Sequence, residues 1–515
     1  MPSGAGMGLF AMGLGVLVIA NDFTALNVAL PAIEEDFDVD VGTVQWIINA
    51  YALTFGMVLV TGGRLADMFG RRKVFFVGTA IFAAFSLLGA LAPNAGLLIG
   101  TRVGMGVGGG LMWPAILGMT FAAVPPARAA FAGGLILGVA GLGNALGPLI
   151  GGALTDLLSW RAIFWLNVPV AAFAVVVTWA TIHQPRPAVR AQRIDYAGIA
   201  SLSLGLVLVL LALDQSSDWG WGDARVLGML GLATVSFVVF AVVERRLGEA
   251  GLVPGDVIGN RGFAAACATV LCISAVFFTT VLYAPQLMEK ILDYTALEAG
   301  VAMLPLLGVF AVVAFSSNHV SDRFGMRMVI VVGTALLALG PLLLSFFDTG
   351  SRYVDLLPGL IVTGIGVGLF YPTITTAAVT MLDASRASLA GGIVYMFQVA
   401  GGAIGLGLAT SIFTTRSEDL VVGDATDLGL RASSDQVAVI HGILAGTESG
   451  RLAFNDFGTG VADKLLDVVS ESFVAGIQLA FRVVGALAVV GLVVALLAVR
   501  PAKPAENGAP ARGAT

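Results

Sequence analysis

The sequence predicts an all-α polytopic membrane protein with 14 transmembrane helices, built as two parallel-related six-helix halves with an extra helix pair between them. Three observations carry this. Of 515 residues, 57% are hydrophobic and only 12% are charged, and the mean hydropathy is +0.93; a soluble globular protein carries about 45–50% apolar and about 25% charged residues. Apolar runs of roughly 20 residues recur from Leu9 to Val499, each long enough at about 1.5 Å per residue to cross about 30 Å of hydrocarbon. Finally, two stretches of the chain repeat each other in order. The apolar runs are continuous and rich in glycine, with 67 in all, as in packed membrane helices rather than in the alternating strands of a barrel.

Taken in order, the spans are expected at 8–31, 44–65, 74–92, 97–122, 130–154, 162–182, 196–213, 224–243, 263–287, 298–319, 327–347, 353–379, 389–413 and 472–499. The first ends at Pro31 without a small-residue cleavage site, so it reads as a helix and not a signal peptide. An even number of crossings puts both termini on one side. Placing them in the cytoplasm assigns it most of the 27 basic residues, among them Arg64, Arg71, Arg72, Lys73, Arg128, Arg186, Arg190, Arg193, Arg245, Arg246, Arg323, Arg327 and Arg386. The short outer loops then hold only Arg161, Arg225, Lys290 and Arg352, and the first, Glu34 to Asp40, holds no cation. That is the positive-inside pattern. The expected units are 1–185, an N-terminal six-helix bundle; 186–260, a two-helix insertion; 261–500, a C-terminal bundle with a long outer segment at 414–471; and 501–515, a cytoplasmic tail.

The repeat is explicit. Ala66-Asp67-Met68-Phe69-Gly70-Arg71-Arg72-Lys73-Val74 matches Ser321-Asp322-Arg323-Phe324-Gly325-Met326-Arg327-Met328-Val329 at an offset of 255. Gly106, Gly108, Gly110 and Pro114 recur as Gly364, Gly366, Gly368 and Pro372, and Arg128 with Gly133-Gly134 as Arg386 with Gly391-Gly392, both at 258. Eight crossings separate matched helices, so the halves are parallel repeats, and the substrate site is expected at mid-membrane between them.

Several residues stand out chemically. Asp22 and Arg102 are charges inside spans, where a carboxylate costs about 2.5–3.5 kcal/mol on the insertion scale and usually faces the bundle interior. The carboxylate is a candidate proton carrier or a structural partner to an interhelical hydroxyl; the arginine is a coupling group or a static ion-pair partner. Gly63, Asp67, Gly70, Arg71 and Arg72, with the copy Asp322, Arg323, Gly325 and Arg327, put a carboxylate and several cations at a membrane mouth, where they can pair in one conformation and separate in another. A topology anchor explains those cations but not Asp67 or Asp322. Glycines Gly143, Gly147, Gly151 and Gly152 let helices touch backbone to backbone, and Pro148 permits a kink; in the second half Leu406 replaces that proline. Trp46, Asn49, Trp113, Tyr371, Tyr395 and Gln398 are candidate lining residues, aromatic or polar within spans.

These segments resemble the major facilitator superfamily, and within it the fourteen-helix drug:proton antiporters, over almost the whole chain. Gly63 to Lys73 looks like the helix 2–3 motif, Asn21 to Pro31 the helix 1 motif, Arg102 to Gly106 the helix 4 motif with Met105 standing where the family has Gln, and Gly138 to Gly152 the antiporter motif of helix 5. Trp160 to Pro169 also resembles the fourteen-helix family, with Trp160 and Arg161 as an interface anchor. The resemblance implies proton-coupled export of a small hydrophobic or cationic compound across the cytoplasmic membrane, with Asp22 and Arg102 in proton coupling and the helix 2–3 motif in gating. A major facilitator symporter or importer of a small metabolite is the alternative, and a membrane enzyme on lipid-linked substrates a remoter one. Neither catalytic residues, a cofactor, a metal nor nucleic acid is expected: Gly104-x-Gly106-x-x-Gly109 lies inside a helix, no phosphate-binding Gly-x4-Gly-Lys is present, and His183, His319 and His441 are scattered. Energy would come from the proton gradient, and a monomer is expected. Cys267 and Cys272 fit neither a zinc motif nor a disulfide framework.

Overall fold

The computed structural model describes residues 5–39, 41–125, 128–182, 195–248, 251–427 and 459–498, and these are helical throughout, joined by short turns. The helices are α1 (Ala5–Phe37), α2 (Val41–Phe69), α3 (Arg71–Ala90), α4 (Ala95–Ala122), α5 (Ala129–Leu157), α6 (Arg161–Thr181), α7 (Tyr196–Trp219), α8 (Ala224–Leu247), the short α9 (Gly255–Ile258), α10 (Arg261–Ile291), α11 (Ala296–Ala302), α12 (Leu304–Phe324), α13 (Met326–Leu344), α14 (Tyr353–Thr380), α15 (Ala387–Asp427) and α16 (Thr459–Ala498). Fourteen segments are long and apolar enough to cross a membrane, the tenth running through α11 and α12. Starts carry side-chain caps where the sequence supplies them: Asn94, Asp195, Asp223 and Asn260 each accept a backbone N–H of the first turn. Such caps satisfy donors that a helix leaves open.

The repeated motifs make repeated contacts. On α4, a Cβ at Gly106 or Gly110 would press on the Tyr51 or Phe55 carbonyl at 2.7 and 2.9 Å; on α14, one at Gly364 or Gly368 would meet the Leu306 or Phe310 carbonyl at 2.5 and 2.9 Å. Only glycine permits these approaches of α4 to α2 and of α14 to α12. The wider packing follows the same duplication. In one group α1 packs on α5 and α6, and α3 on α4 and α6; in the other α10 packs on α15 and α16, and α13 on α14 and α16. Between the groups the contacts are reciprocal: α2 meets α15, and α5 meets α12. Helices α7 and α8 pack mainly on each other, with α7 against α2 and α15.

Several boundaries differ from the sequence expectation. Helix α2 continues to Phe69, so Asp67 stands on a final helical turn and not in a loop; no residue before Gly70 (φ 104°) breaks the hydrogen-bond ladder. Gly325 (φ 82°) makes the same joint between α12 and α13. The segment expected as a long outer loop at 414–471 is instead helical at both ends, in α15 up to Asp427 and in α16 from Thr459. Its centre, and the tail at 501–515, lie outside the described residues, as do Arg186, Arg190 and Arg193. Helix α1 likewise runs on to Phe37, where Arg161 and Trp160 at the start of α6 both donate to Asp36, at 2.7 and 3.3 Å.

Candidate functional site

Asp22 and Arg102, eighty residues apart, meet inside the N-terminal group. Arg102 on α4 ion-pairs with Asp22 on α1 through Nη1 and Oδ2. The two side chains are 0% and 1% exposed, so water screens the pair very little. The other carboxylate oxygen accepts from Asn167 Nδ2 of α6 at 3.1 Å, and that amide also reaches Ser86 Oγ on α3 at 3.3 Å. Arg102 Nε donates to the Ile47 carbonyl at 2.9 Å, its guanidinium lies 4.2 Å from the centre of the Tyr51 ring, and Met105 Sδ is 3.9 Å from Nη1. Nη2 has no partner among the described residues. The second half does not repeat the charge pair: Leu360 and Pro341 stand where the repeat places Arg102 and Ser86.

The glycine-proline seam lies directly behind it. Pro148 has no N–H for the Asn144 carbonyl four residues back, and Thr24 Oγ1 on α1 donates to that carbonyl at 3.1 Å. A Cβ at Gly143 would sit 2.9 Å from Ala20 Cβ, while one at Gly147 or Gly151 would overlap Thr24 Oγ1 or the Ala25 carbonyl oxygen. Gly152 is looser, with Val28 at 3.6 Å. Helices α1 and α5 therefore touch along their backbones one turn from Asp22.

Asp67 ties the two helix groups together. One carboxylate oxygen accepts from Arg71 Nε at 3.1 Å, and the other from the Leu389 backbone N–H at 2.9 Å, capping the first turn of α15. Arg71 bridges the same gap, donating to the Gly118 carbonyl at 2.9 Å and the Ala384 carbonyl at 2.8 Å. The helices can come this close because Gly63 and Gly392 lack side chains: a Cβ at Gly63 would lie 2.8 Å from Leu389 Cα, and one at Gly392 2.5 Å from the Leu59 carbonyl. The copy is built differently. Met326 stands at the position of Arg71, and Asp322 is exposed without a partner among the described residues. Arg323 stacks over Phe324 at 5.6 Å. Arg72 and Arg327 do share a role: each donates to a carbonyl in the last turn of its half's final helix, Trp179 at 2.9 Å and Leu496 at 2.7 Å, where open carbonyls and the helix dipole favour a cation.

Of the candidate lining residues, Trp113 and Tyr395 meet across the two groups with ring centres 4.1 Å apart. Tyr371 is buried in the C-terminal group, donating to Ser274 Oγ at 3.0 Å. Trp46, Asn49 and Gln398 are half-buried on α2 and α15.

Residues 12–406 match the family model described as Major Facilitator Superfamily. The chain belongs to the Major Facilitator Superfamily. It is a multi-pass integral membrane protein, and a transporter rather than an enzyme. It is 32% identical over 507 residues to the tetracenomycin C resistance and export protein of Streptomyces glaucescens, covering 97% of this chain and 92% of that protein. It is 34% identical to a puromycin resistance protein of Streptomyces alboniger over 79% of this chain and 81% of the relative, and 30% identical to a multidrug transporter protein of Bacillus subtilis over 79% and 75%. The human organic anion transporter MFSD10 (TETRAN) superposes with a TM-score of 0.63 over 96% of this chain and all of that one, at 14% identity; that likeness is one of fold.

Within this major facilitator protein, sequence reasoning missed Tyr51, Ser86 and Asn167 as partners of the charge pair. Asn167 lies within the Trp160–Pro169 segment of the resemblance, and a polar residue in an apolar span was the available signal. The linker between α8 and α10 was also missed. Glu244 accepts the Leu252 and Val253 backbone N–H groups at 2.9 and 3.2 Å, and Asp256 ion-pairs at 3.0 Å with Arg386 just ahead of α15. Asn260 donates to the Met381 carbonyl at 3.1 Å, so the linker is strapped beside the Asp67 contact.

Proposed function

We propose that this protein is a proton-driven antiporter that exports small, largely hydrophobic compounds from the cytoplasm by alternating access, as a monomer in the cytoplasmic membrane with both termini inside, needing no cofactor. On this reading α1–α6 and α10–α16 are the two moving halves and α7–α8 an insertion between them. The observation that carries it is the sealed Asp22–Arg102 pair, beside a seam of α1 and α5 that glycines and Pro148 bring to backbone contact. The export name of the Streptomyces glaucescens relative supports the direction of transport.

The chemistry follows from burial. A proton placed on Asp22 cancels its attraction for Arg102 and leaves a desolvated guanidinium without a counter-charge. Removing one partner of a buried pair costs about 3–5 kcal/mol, enough to favour a conformation that lets Arg102 reach water or another acceptor. One proton entering down about 100 mV supplies about 2.3 kcal/mol, and one pH unit adds about 1.4 kcal/mol. In the described conformation the Asp67 latch is closed and the charge pair is intact, which on this reading is the outward-facing, deprotonated form. Asp67, Arg71 and the Leu389 N–H then form the inner latch that must part for cargo to enter. Everted vesicles given a respiratory proton gradient test this: accumulation of a hydrophobic dye should collapse on adding a protonophore. Accumulation indifferent to the protonophore overturns the reading.

A further inference from the structure

An aromatic cluster spans the two halves and has an open edge. Phe55 on α2 meets Trp113 and Tyr395 edge-on at 6.4 and 5.7 Å. Phe23, next to Asp22, closes on Phe55 at 5.2 Å and on Tyr51 at 4.7 Å. Trp113, Tyr51 and Phe55 are fully buried, whereas Phe23 and Tyr395 are half-buried and form the edge.

Within this cluster the indole N–H of Trp113 is buried and has no acceptor among the described residues. Such a donor is expensive to keep, and the scaffold does not demand it. The repeat places Tyr371 at the same position, each residue followed by its matched proline, and Tyr371 does satisfy its donor, on Ser274 at 3.0 Å. One half therefore consumes its polar aromatic internally and the other leaves a donor unused behind two aromatic edges. The carboxylate adjoining Phe23 is engaged: both oxygens of Asp22 are taken, by Arg102 and Asn167. A lipophilic cation beside Phe23 would meet no unengaged oxygen of Asp22, whereas an uncharged flat ring system could stack on Phe23 and Tyr395 and offer an oxygen to the indole.

We propose that Trp113, Tyr395 and Phe23 form a subsite for uncharged, planar aromatic compounds bearing a carbonyl oxygen, with the Trp113 N–H as the donor that selects for that oxygen. This deepens the export reading and rests on it for the statement that the bound compound is cargo.

Binding to the purified full-length protein in detergent, with no gradient, tests the subsite with three probes: anthraquinone, anthracene and tetraphenylphosphonium. A site built to donate a hydrogen bond rejects the analogue that lacks the acceptor. Anthraquinone should bind about tenfold more tightly than anthracene after correction for micelle partitioning, equivalent to about 1.4 kcal/mol. Trp113→Phe should erase that ratio, and tetraphenylphosphonium should not displace anthraquinone. Equal binding of the two hydrocarbon skeletons by the wild-type protein, a ratio that survives Trp113→Phe, or displacement by the cation overturns the proposal. The wild-type ratio stands as a test if the variant does not fold. Failure here leaves proton coupling untouched, while gradient-independent export with the ratio intact overturns only the coupling.

Discussion

Replacing Asp22 with Asn should strand Arg102. In the native arrangement the guanidinium is fully buried and Asp22 is its only carboxylate partner among the described residues; the Ile47 carbonyl at 2.9 Å and the Tyr51 face at 4.2 Å remain after the substitution. A cation–π contact of this kind is worth up to about 2 kcal/mol when desolvated, which does not offset the loss of the counter-charge. The expected destabilisation is about 3–5 kcal/mol. Adding Arg102→Leu to Asp22→Asn removes the stranded charge and should restore most of the stability, because a buried pair exchanged for neutral groups is often close to neutral. A double-mutant cycle by equilibrium unfolding in mixed micelles measures this, and the coupling between the two sites should exceed about 2 kcal/mol. Additivity within about 0.5 kcal/mol, the expectation for independent sites, would refute the pair as an energetic unit. The double variant also separates stability from mechanism. It should be abundant and folded yet unable to take up dye into proteoliposomes under an imposed pH gradient, since its amide keeps the shape of Asp22 but cannot titrate. Wild-type uptake by the double variant would remove Asp22 from proton coupling.

The remaining predictions concern helix contacts. Asp67→Asn should slow transport at least tenfold at equal membrane abundance, since a charge-assisted hydrogen bond is worth about 1.5–3 kcal/mol, whereas the exposed Asp322→Asn should change the rate less than twofold; equal effects would refute a one-sided latch. Gly151→Ala should destabilise the protein by about 1–3 kcal/mol by overpacking against Ala25, and Gly152→Ala should be tolerated, as thermal unfolding of the two variants in detergent will show. Thr24→Val should cost about 1–3 kcal/mol by leaving the Asn144 carbonyl unpaired. In a Pro148→Ala background it should cost clearly less, because the restored N–H takes over that carbonyl; equal costs in both backgrounds would count against the Thr24–Asn144 bond.

Some of this protein is written locally. Apolar runs of membrane-spanning length, the sorting of Arg and Lys between loops and the glycine ladders are each visible in a window of a few dozen residues, and they sufficed for a fourteen-span helical fold. Repeats at offsets of 255 and 258 announced which helices are equivalent, and the paired contacts of Gly106 and Gly364 follow from them. Helix ends were less legible. Hydropathy marks where side chains prefer lipid, but the backbone ladder runs on until a residue such as Gly70 breaks it, which is why Asp67 sits on α2 and why α15 and α16 extend into the expected 414–471 loop.

Each span and its chemical inventory are thus legible along the chain: a carboxylate in the first, an arginine in the fourth, a glycine-proline motif in the fifth. Which groups meet is settled by packing. Asn167 joins Asp22 across 145 residues, Asp67 caps α15 across 322, and Thr24 answers the carbonyl that Pro148 abandons. None of these pairings has a local signature, because a buried polar group must be satisfied by some partner while the chain carries no record of which distant one packing will bring. The same reason makes Asp67 and Asp322 unequal: their local motifs match, but with a methionine in place of Arg71, Asp322 has no paired cation among the described residues to hold it against the opposite half.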